Sequence, residues 1–219
     1  MARQARGGPE RVPLTRERVL GAAVRMADDV GIERLTMRKL ADKLGVEAMS
    51  LYYHVANKDE ILKGIVDIVV GEFELPAGDD WKAAVRRTAI SAHDVLVQHR
   101  WAANLMLAAD VGEARLRYMN ELLGSLRRGG FSAAMTHHAY HALDSHILGF
   151  TLWQVGIAVD SETLPGMAAS LLRDLSSGNY RWLAEHVEQH LAESAPGSGT
   201  EFEFGLDLIL DGLERTREA

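Results

Sequence analysis

The stretch of residues 36–54 restricts the possible folds of this chain more than any other segment. Two short sets of apolar residues lie on either side of Gly45 at the spacing of a helix face. They are Leu40, Ala41 and Leu44 before the glycine, and Val46 and Leu51 after it. Because glycine readily adopts the backbone of a sharp turn, the pattern predicts two helices of about two turns each, with Val46 and Leu51 in the core. This is the plan of a helix-turn-helix, and an ordinary αα-hairpin is the alternative.

The chain before this motif is predicted to contain a basic arm and one helix. Residues 1–13 hold three arginines among glycines and prolines, which indicates a flexible arm. Such an arm either contacts the DNA minor groove or is a disordered terminus. Thr15 is a good N-cap for a helix over residues 16–30, and Gly31 occupies the usual position of a C-terminal cap.

The chain after the motif is predicted to form an unusually apolar helix. Asn57 and Glu60 form a capping box, and the helix that they open, over residues 58–73, is apolar on nearly every face. Such a helix must be buried on several sides. Residues 14–74 are therefore predicted to form one domain, in which three helices that include the helix-turn-helix are followed by this buried helix.

The remaining residues, 75–219, are predicted to be helical and to form a second domain. A Pro- and Gly-containing break at residues 76–80 marks the boundary. Helical segments are predicted at 81–99, 103–110, 112–128, 132–156, 161–176 and 179–193, and after the N-cap Thr200. No run shows the alternation of a β-strand, so the predicted fold class is all-α.

Composition limits the classes of function. The formal net charge is −7, yet residues 1–63 carry 12 Lys and Arg against 9 Asp and Glu, whereas residues 64–219 carry 12 against 22. A basic binding module joined to an acidic body has this asymmetry. The chain contains no cysteine, which excludes disulfides, thiol nucleophiles and cysteine-ligated zinc and fits a reducing compartment. No apolar stretch suits a membrane span or a secretory signal, so a cytoplasmic protein without membrane contact is expected.

The second helix of a helix-turn-helix enters the major groove, so its outward side chains are candidates for contacts with DNA. With Val46 and Leu51 inward, the outward residues are Ala48, Met49, Ser50, Tyr52, Tyr53 and His54. Ala48 and Met49 suit a thymine methyl group, and the tyrosine hydroxyls suit phosphates, although core packing of one tyrosine is the alternative. Arg38 can reach a guanine or a phosphate, and Lys39, Lys43 and Lys58 add a salt-dependent attraction.

Residues 14–74 resemble the DNA-binding domain of the tetracycline-repressor family of bacterial regulators. The resemblance rests on residues 35–58, and above all on the ending Tyr-x-His-Val-x-x-Lys that runs from Tyr52 to Lys58. The body is similar, more weakly, to the tetracycline-repressor subgroup. The shared motifs are Asp80-Trp81, His99-Arg100, Gly130-Phe131-Ser132, Phe150-Thr151-Leu152 and Phe204-Gly205-Leu206-x-Leu208-Ile209.

The resemblance implies an all-α homodimer that binds a palindromic operator in double-stranded DNA. A small-molecule effector would release the operator by occupying the C-terminal domain, which serves for ligand binding and dimerisation. The family's operator contacts fall on Arg38, Ala48, Met49, Ser50, Tyr52, Tyr53, His54 and Lys58. The tetracycline repressor has glutamine and proline at the positions of Ala48 and Met49, so a different operator sequence is expected here.

The effector site is expected to be an apolar cavity with a few polar groups. The resemblance places the ligands of a magnesium–tetracycline inducer at positions that match Met106 and Ile157, and neither offers an oxygen to a hard cation. No metal and no cofactor are therefore predicted. The candidate ligand-binding residues are Trp101, Met106, His141, His146 and Trp153, with core packing as the alternative for each.

Two further patterns invite other functions. His137/His141 and His186/His190 have the i,i+4 spacing that permits a shared zinc ion, but neither pair has the glutamate of HExxH or a third ligand in sequence. The alternative is histidines that are solvated or partly buried at a helix interface. His141, Asp144, Ser145 and His146 include the residue types of a hydrolase, yet adjacent helical residues do not face each other and no GxSxG is present, so no enzyme is predicted.

The expected assembly follows from the last helix, where Gly205 and Gly212 lie seven residues apart and would let a partner helix approach closely. With the helix at 132–156 this predicts a four-helix dimer interface. The chain is therefore interpreted as a ligand-responsive repressor. The alternatives are an activator of the same fold, or an all-α ligand-binding or enzymatic bundle whose helix-turn-helix is incidental.

Overall fold

The chain is helical, as the sequence predicts. The computed structural model describes residues 13–108, 110–157, 180–193 and 201–218, together with Gly166 and Ser170. Within these residues it contains a short 3-10 helix at Ile32–Arg34 and no β-strand. The α-helices are α1 (Arg16–Val30), α2 (Met37–Leu44), α3 (Ala48–Leu51), α4 (Lys58–Val70), α5 (Trp81–Gln98), α6 (Ala102–Ala108), α7 (Glu113–Arg128), α8 (Ala133–Ile157), α9 (Arg181–Glu193) and α10 (Glu201–Glu218).

Most of the predicted helix ends lie within a few residues of the observed ones. Helix α1 begins and ends where its caps predict, and α4 ends at Val70, earlier than the predicted residue 73. The predicted arm at 1–13, apart from Pro13, the N-cap Thr200 and nearly all of the predicted helix at 161–176 lie outside the described residues.

The chain divides into two compact units. One unit holds the described residues up to Phe73 and the segment Gln98–Asn120, and the other holds Glu74–Val97 and the described residues from Glu121 onward. The segment 98–120, with α6 and the start of α7, therefore packs with the first part of the chain although it follows α5 in sequence. The domain boundary between residues 74 and 75 stays a prediction.

The first unit is built around α4. Its buried residues face in several directions, and they are Ile61, Gly64, Ile65, Val66, Val69 and Val70. Helix α1 crosses it closely, because a Cβ at Gly64 would lie 2.8 Å from both terminal methyl carbons of Leu20. The glycine thus permits a helix crossing that a larger residue would obstruct.

Two aspartates connect the segment 98–120 to the helices before it. Asp67 of α4 accepts hydrogen bonds through Oδ1 from the backbone N–H groups of Ala114 (2.8 Å) and Arg115 (3.3 Å), and so caps the start of α7. Asp28 of α1 accepts through Oδ1 from the Trp101 indole N–H at 2.7 Å, and its Oδ1 is 2.8 Å from Nδ1 of His99. Both aspartates satisfy donors that come from a distant part of the sequence.

In the second unit, α10 packs against α8 and is joined to α5 by charged side chains. Phe202 is almost fully buried, and its ring lies nearly parallel to those of His93 and His146, with centroid distances of 4.0 and 4.8 Å. Arg86 of α5 donates to Asp207 and Glu203 of α10, each at 2.7 Å. Lys82 reaches Asp211 and Glu214 one turn further along α10.

No helix among the described residues combines the length and the apolar character that crossing a bilayer requires.

The α5–α10 ion pairs predict a pH-dependent stability. Hydrogen bonds from Arg86 hold the pKa of Asp207 below its usual value. The contribution of this pair to stability is therefore present above the unfolded-state pKa of about 3.9 and is lost as the pH falls through the lower folded-state pKa. We expect Arg86→Met to reduce the free energy of unfolding at neutral pH by about 0.5–1 kcal/mol, because the groups are partly exposed and screened by salt.

Urea unfolding of both proteins across the acidic range measures this effect, and the difference is expected to shrink toward pH 2 or so. Arg86→Lys is the matched control: it keeps the charge but loses the two-pronged geometry, so an intermediate stability is expected. Equal stability of wild type and Arg86→Met at neutral pH would contradict the assignment.

Candidate nucleic-acid interface

The helix-turn-helix is present where the sequence predicts it. Thr36 caps α2 by accepting from the backbone N–H of Lys39 at 3.3 Å. Gly45 follows α2 in the left-handed conformation, with φ of 68° and ψ of 36°. The N–H of Val46 donates to the carbonyl of Ala41 at 3.1 Å, which closes the end of α2 and turns the chain into α3.

Helix α3 is shorter than the predicted two turns. It covers only Ala48–Leu51, and hydrogen-bonded turns follow, with the N–H groups of His54 and Val55 donating to the carbonyl of Leu51. The prediction was wrong here because Val55 must turn back into the core and Asn57 already caps α4. The N-cap of α3, Glu47, also makes no side-chain capping bond.

Val46 is half-buried rather than in the core, which corrects a second prediction. It directly follows the exposed left-handed turn at Gly45, so its side chain stays near the surface. Leu40 and Leu51 are the fully buried contacts of the two helices.

The start of α4 holds the end of this motif in place. Oδ1 of Asn57 accepts from the N–H of Glu60 at 2.8 Å, as a capping box requires. The Glu60 carboxylate accepts from the N–H of Ala56 at 2.6 Å, one residue before the expected partner. This hydrogen bond lowers the pKa of Glu60, and Arg16 of α1 adds an ion pair at 3.3 Å.

All eight predicted DNA contacts are at least partly accessible to solvent. Tyr53 is 88% exposed, Met49 71% and Tyr52 44%, so neither tyrosine packs in the core. Arg38 and Lys58 are exposed as well, whereas Ala48, Ser50 and His54 are half-buried. We call Arg38, Met49, Tyr52, Tyr53 and Lys58 the α2–α3 surface.

The positive charges near this surface differ in their availability. Arg38, Lys39 and Lys58 are exposed and have no ion pair with any other residue that the structure describes. Lys43 instead pairs with Asp29 at 2.7 Å, which offsets part of its charge. The first three therefore suit an anionic partner better than Lys43 does.

The five predicted ligand-binding residues occupy different environments. In the first unit, Trp101 and Met106 are buried, and Trp101 is bonded to Asp28. In the second unit, His141 is exposed, Trp153 is half exposed, and Nε2 of His146 lies 2.9 Å from the carbonyl oxygen of Phe202. Packing thus occupies Trp101 and His146, and ligand binding by the set stays a prediction.

Asp28, Asp67 and His99 were not predicted to hold other parts of the chain in place, although His99 belongs to a motif shared with the tetracycline-repressor subgroup. Asp67 had a usable signal, since it is an acidic residue in an otherwise apolar stretch of α4. His99 is buried, its Nδ1 is near Asp28, and its Nε2 has no hydrogen-bond partner, with Glu72 at 3.6 Å. No three metal-ligating side chains converge anywhere in the described ranges.

Comparison with known proteins assigns the family. Residues 19–65 match the model of the bacterial regulatory proteins of the tetR family, and residues 75–217 match the model of the tetracyclin repressor-like C-terminal domain. The chain belongs to the tetracycline-repressor family. Family membership confirms the resemblance expected from residues 35–58 and the fold class of a helix-turn-helix domain followed by a helical domain.

Individual relatives agree with this assignment. The transcriptional repressor DrrR1 of Streptomyces coeruleorubidus is 32% identical over 223 residues, which cover 94% of this chain and 80% of DrrR1. The class D tetracycline repressor of Escherichia coli is 37% identical over 136 residues, which cover 57% of this chain. This match covers 62% of the length of the class D repressor. A transcriptional regulator of Saccharopolyspora erythraea is likewise matched over only 59% of its own length.

A solved structure extends the comparison to nearly the whole chain. ActR of Streptomyces coelicolor, a TetR family protein in complex with actinorhodin, superposes with a TM-score of 0.76 at 28% identity. The match covers 95% of this chain and all of that one.

The left-handed turn at Gly45 yields a stability prediction. Gly45→Ala is expected to reduce the free energy of unfolding by about 1 kcal/mol, because a side chain at positive φ strains the backbone. A Cβ at this position meets no atom within 4 Å, so a steric clash does not contribute. Chemical denaturation measures the difference.

Gly21→Ala in α1 is the matched control in the same unit. Its Cβ would lie at an ordinary 3.6 Å from Nη1 of Arg25. Alanine favours the helix interior over glycine by ~0.5–1 kcal/mol, so this variant is expected to gain stability. A stabilised Gly45→Ala would contradict the role given to the turn.

Proposed function

We propose that this member of the tetracycline-repressor family is a DNA-binding transcriptional repressor that a small-molecule effector releases from its operator. The observation that carries the proposal is the α2–α3 surface, where an exposed arginine on α2, two exposed tyrosines directly after α3 and a lysine at the start of α4 accompany the helix-turn-helix. The name of DrrR1 and the actinorhodin complex of ActR support repression and effector binding in relatives.

The chemistry of the α2–α3 surface fits duplex DNA. Arg38 offers a planar fork of donors to the O6 and N7 acceptors of guanine or to a phosphate. The hydroxyls of Tyr52 and Tyr53 suit backbone phosphates, and Met49 provides an apolar contact for a thymine methyl group. Because few positively charged side chains are free of ion pairs near this surface, the affinity for DNA would depend mainly on specific contacts. The electrostatic part of the affinity would fall with increasing salt.

The response to an effector would act through the segment 98–120. The bonds that Asp28 and Asp67 accept tie this segment to α1 and α4, which support the helix-turn-helix. A ligand that prefers another position of α6 would therefore shift the population of α1 and α4 orientations. Trp101 and Met106 of this unit remain our candidates for its contacts, and His141, His146 and Trp153 remain candidates for ligand binding within the other unit.

A homodimer is part of the proposal. Phe204 and Leu208 of α10 are 69% and 57% exposed, and Trp153 of α8 is 49% exposed, although α8 and α10 pack against each other. Gly149 and Gly212 leave open space where a Cβ would lie, which suits a close approach of helices. Gly205 does not serve this purpose as predicted, because a Cβ there would lie 2.6 Å from Cε1 of His146, so this glycine instead lets α8 pack closely against α10 within one chain. A second copy that covers this face would present two helix-turn-helix motifs to a palindrome with half-sites ~34–36 Å apart.

Family membership points to a regulator rather than an enzyme. We assign no catalytic residue, because Asp144 and Ser145 are consecutive on α8 and their side chains point in different directions. We propose that the protein acts on DNA in the bacterial cytoplasm.

The DNA-binding proposal predicts the effect of two substitutions. Arg38→Ala and Tyr52→Ala are each expected to weaken binding of the operator at least tenfold, because they remove a charged and a hydroxyl contact. The operator is first selected from random duplexes with the wild-type protein, and gel-shift titration then gives the affinities.

Arg181→Ala is the matched control, since Arg181 is an exposed arginine on α9 in the other unit. Its affinity for the operator is expected to equal that of wild type. If the Arg38 and Tyr52 variants also bind as wild type does, the helix-turn-helix is incidental. A reporter under the selected operator distinguishes a repressor from an activator.

The dimer proposal makes a separate prediction. Leu208→Glu is expected to yield a monomer in light scattering, because a charge on the apolar face of α10 would be desolvated by the second copy. Leu116→Glu on α7 is the control, as Leu116 is also about half exposed (54%). A Leu208→Glu protein that remains dimeric would place the interface elsewhere.

A further inference from the structure

Helix α8 carries a group of histidines that neither the α2–α3 surface nor the exposed face of α10 uses. His137, His138 and His141 are exposed in its first turns, after Ser132 has capped the helix by accepting from the N–H of Met135 at 3.1 Å. None of the three makes a hydrogen bond or an ion pair with another residue in the described part of the chain. Their ring nitrogens are therefore available to a ligand.

His137 and His141 have the spacing of a chelating pair. They lie four residues apart on one face of α8, and their ring centroids are 4.6 Å apart with an interplanar angle of 78°. Two imidazoles that bind one ion through nitrogens at ~2.0–2.1 Å hold their ring centroids about 4.5 Å apart at a right angle and about 5.2 Å apart at the tetrahedral angle. The observed 4.6 Å lies within this range, and rotation of the exposed rings can aim one nitrogen of each at a common point.

We infer that His137 and His141 bind a divalent transition-metal ion of the class of Zn²⁺, Ni²⁺ or Cu²⁺. Imidazole nitrogen suits these borderline ions, whereas Mg²⁺ and Ca²⁺ prefer oxygen ligands. Water completes the coordination, which is consistent with the lack of a third converging side chain in the described ranges. This inference is independent of the proposed function and of the prediction that no resident metal is present, because an open two-histidine site exchanges its ion with solution.

His138 is not part of the pair. It follows His137 directly, so it lies about 100° around the helix, and the two ring centroids are 5.5 Å apart. His141 and Gly149 are separated by eight residues, or about 12 Å along the helix axis. The ion site is thus separate from the face that a second copy would cover near Gly149 and Trp153.

An ion held by both histidines would connect successive turns of α8. Because it binds the helical form and not the unfolded chain with the same geometry, it would stabilise the folded protein by mass action. The ion would thus stabilise the first half of α8, the helix that also carries His146 and Trp153.

Zinc titration of the full-length protein tests the inference. The His186→Ala/His190→Ala variant serves as the background, because it removes the other histidine pair of the same spacing. We expect this background to bind one Zn²⁺ per chain by calorimetry and to melt at a higher temperature with Zn²⁺ but not with Mg²⁺. Adding His137→Ala or His141→Ala is expected to weaken Zn²⁺ binding at least tenfold and to abolish the shift in melting temperature.

Adding His138→Ala instead is the matched control, and its affinity is expected to stay within twofold of the background. Circular dichroism verifies that each variant remains helical, as the exposed positions predict. The inference is overturned if the background binds no Zn²⁺, if His137→Ala or His141→Ala binds as the background does, or if His138→Ala weakens binding as much as they do.

Discussion

The burial of α4 is the constraint on which the first unit depends. A helix with apolar residues on nearly every face is stable only when other segments cover it from several directions. Helix α1 supplies one cover at the Gly64–Leu20 contact, where a Cβ would lie only 2.8 Å from the leucine methyl carbons. Asp67 is a polar residue within this apolar helix, and its carboxylate accepts hydrogen bonds from N–H groups at the start of α7. Helix α4 consequently supports the helix-turn-helix and also contacts the segment 98–120.

This arrangement explains why the α2–α3 surface can tolerate large exposed side chains. Leu40 and Leu51 are fully buried and hold α2 and α3, so Met49 and Tyr53 are not needed for packing. The apolar surface of exposed tyrosine and methionine side chains is unfavourable to hydrate in the unbound protein. A partner that covers these side chains removes that surface from water, which favours binding. The stability of the motif and its capacity for binding therefore reside in different residues of the same short helices.

Local signals in the sequence were sufficient for the helices and their caps. Thr15 and Asn57 each accept the expected backbone hydrogen bond, because capping depends on residues only three apart. The packing of segment 98–120 with the first unit and the bonding of His146 to Phe202 were not predictable in this way. Each depends on contacts between residues distant in sequence, which neither periodicity nor spacing reports.

The same distinction applies to charge. The basic surplus in residues 1–63 indicated an anionic partner, but counting charges did not show which cations are available. Lys43 is paired with Asp29 and Arg16 with Glu60, whereas Arg38 and Lys58 are exposed and free of such pairs within the described residues. Since paired cations contribute less to phosphate attraction, the electrostatic part of any DNA affinity rests on a few side chains close to the helix-turn-helix. Discrimination between sequences must then come mainly from the geometry of Arg38, Met49 and the tyrosines, because bulk charge distinguishes no base pair from another.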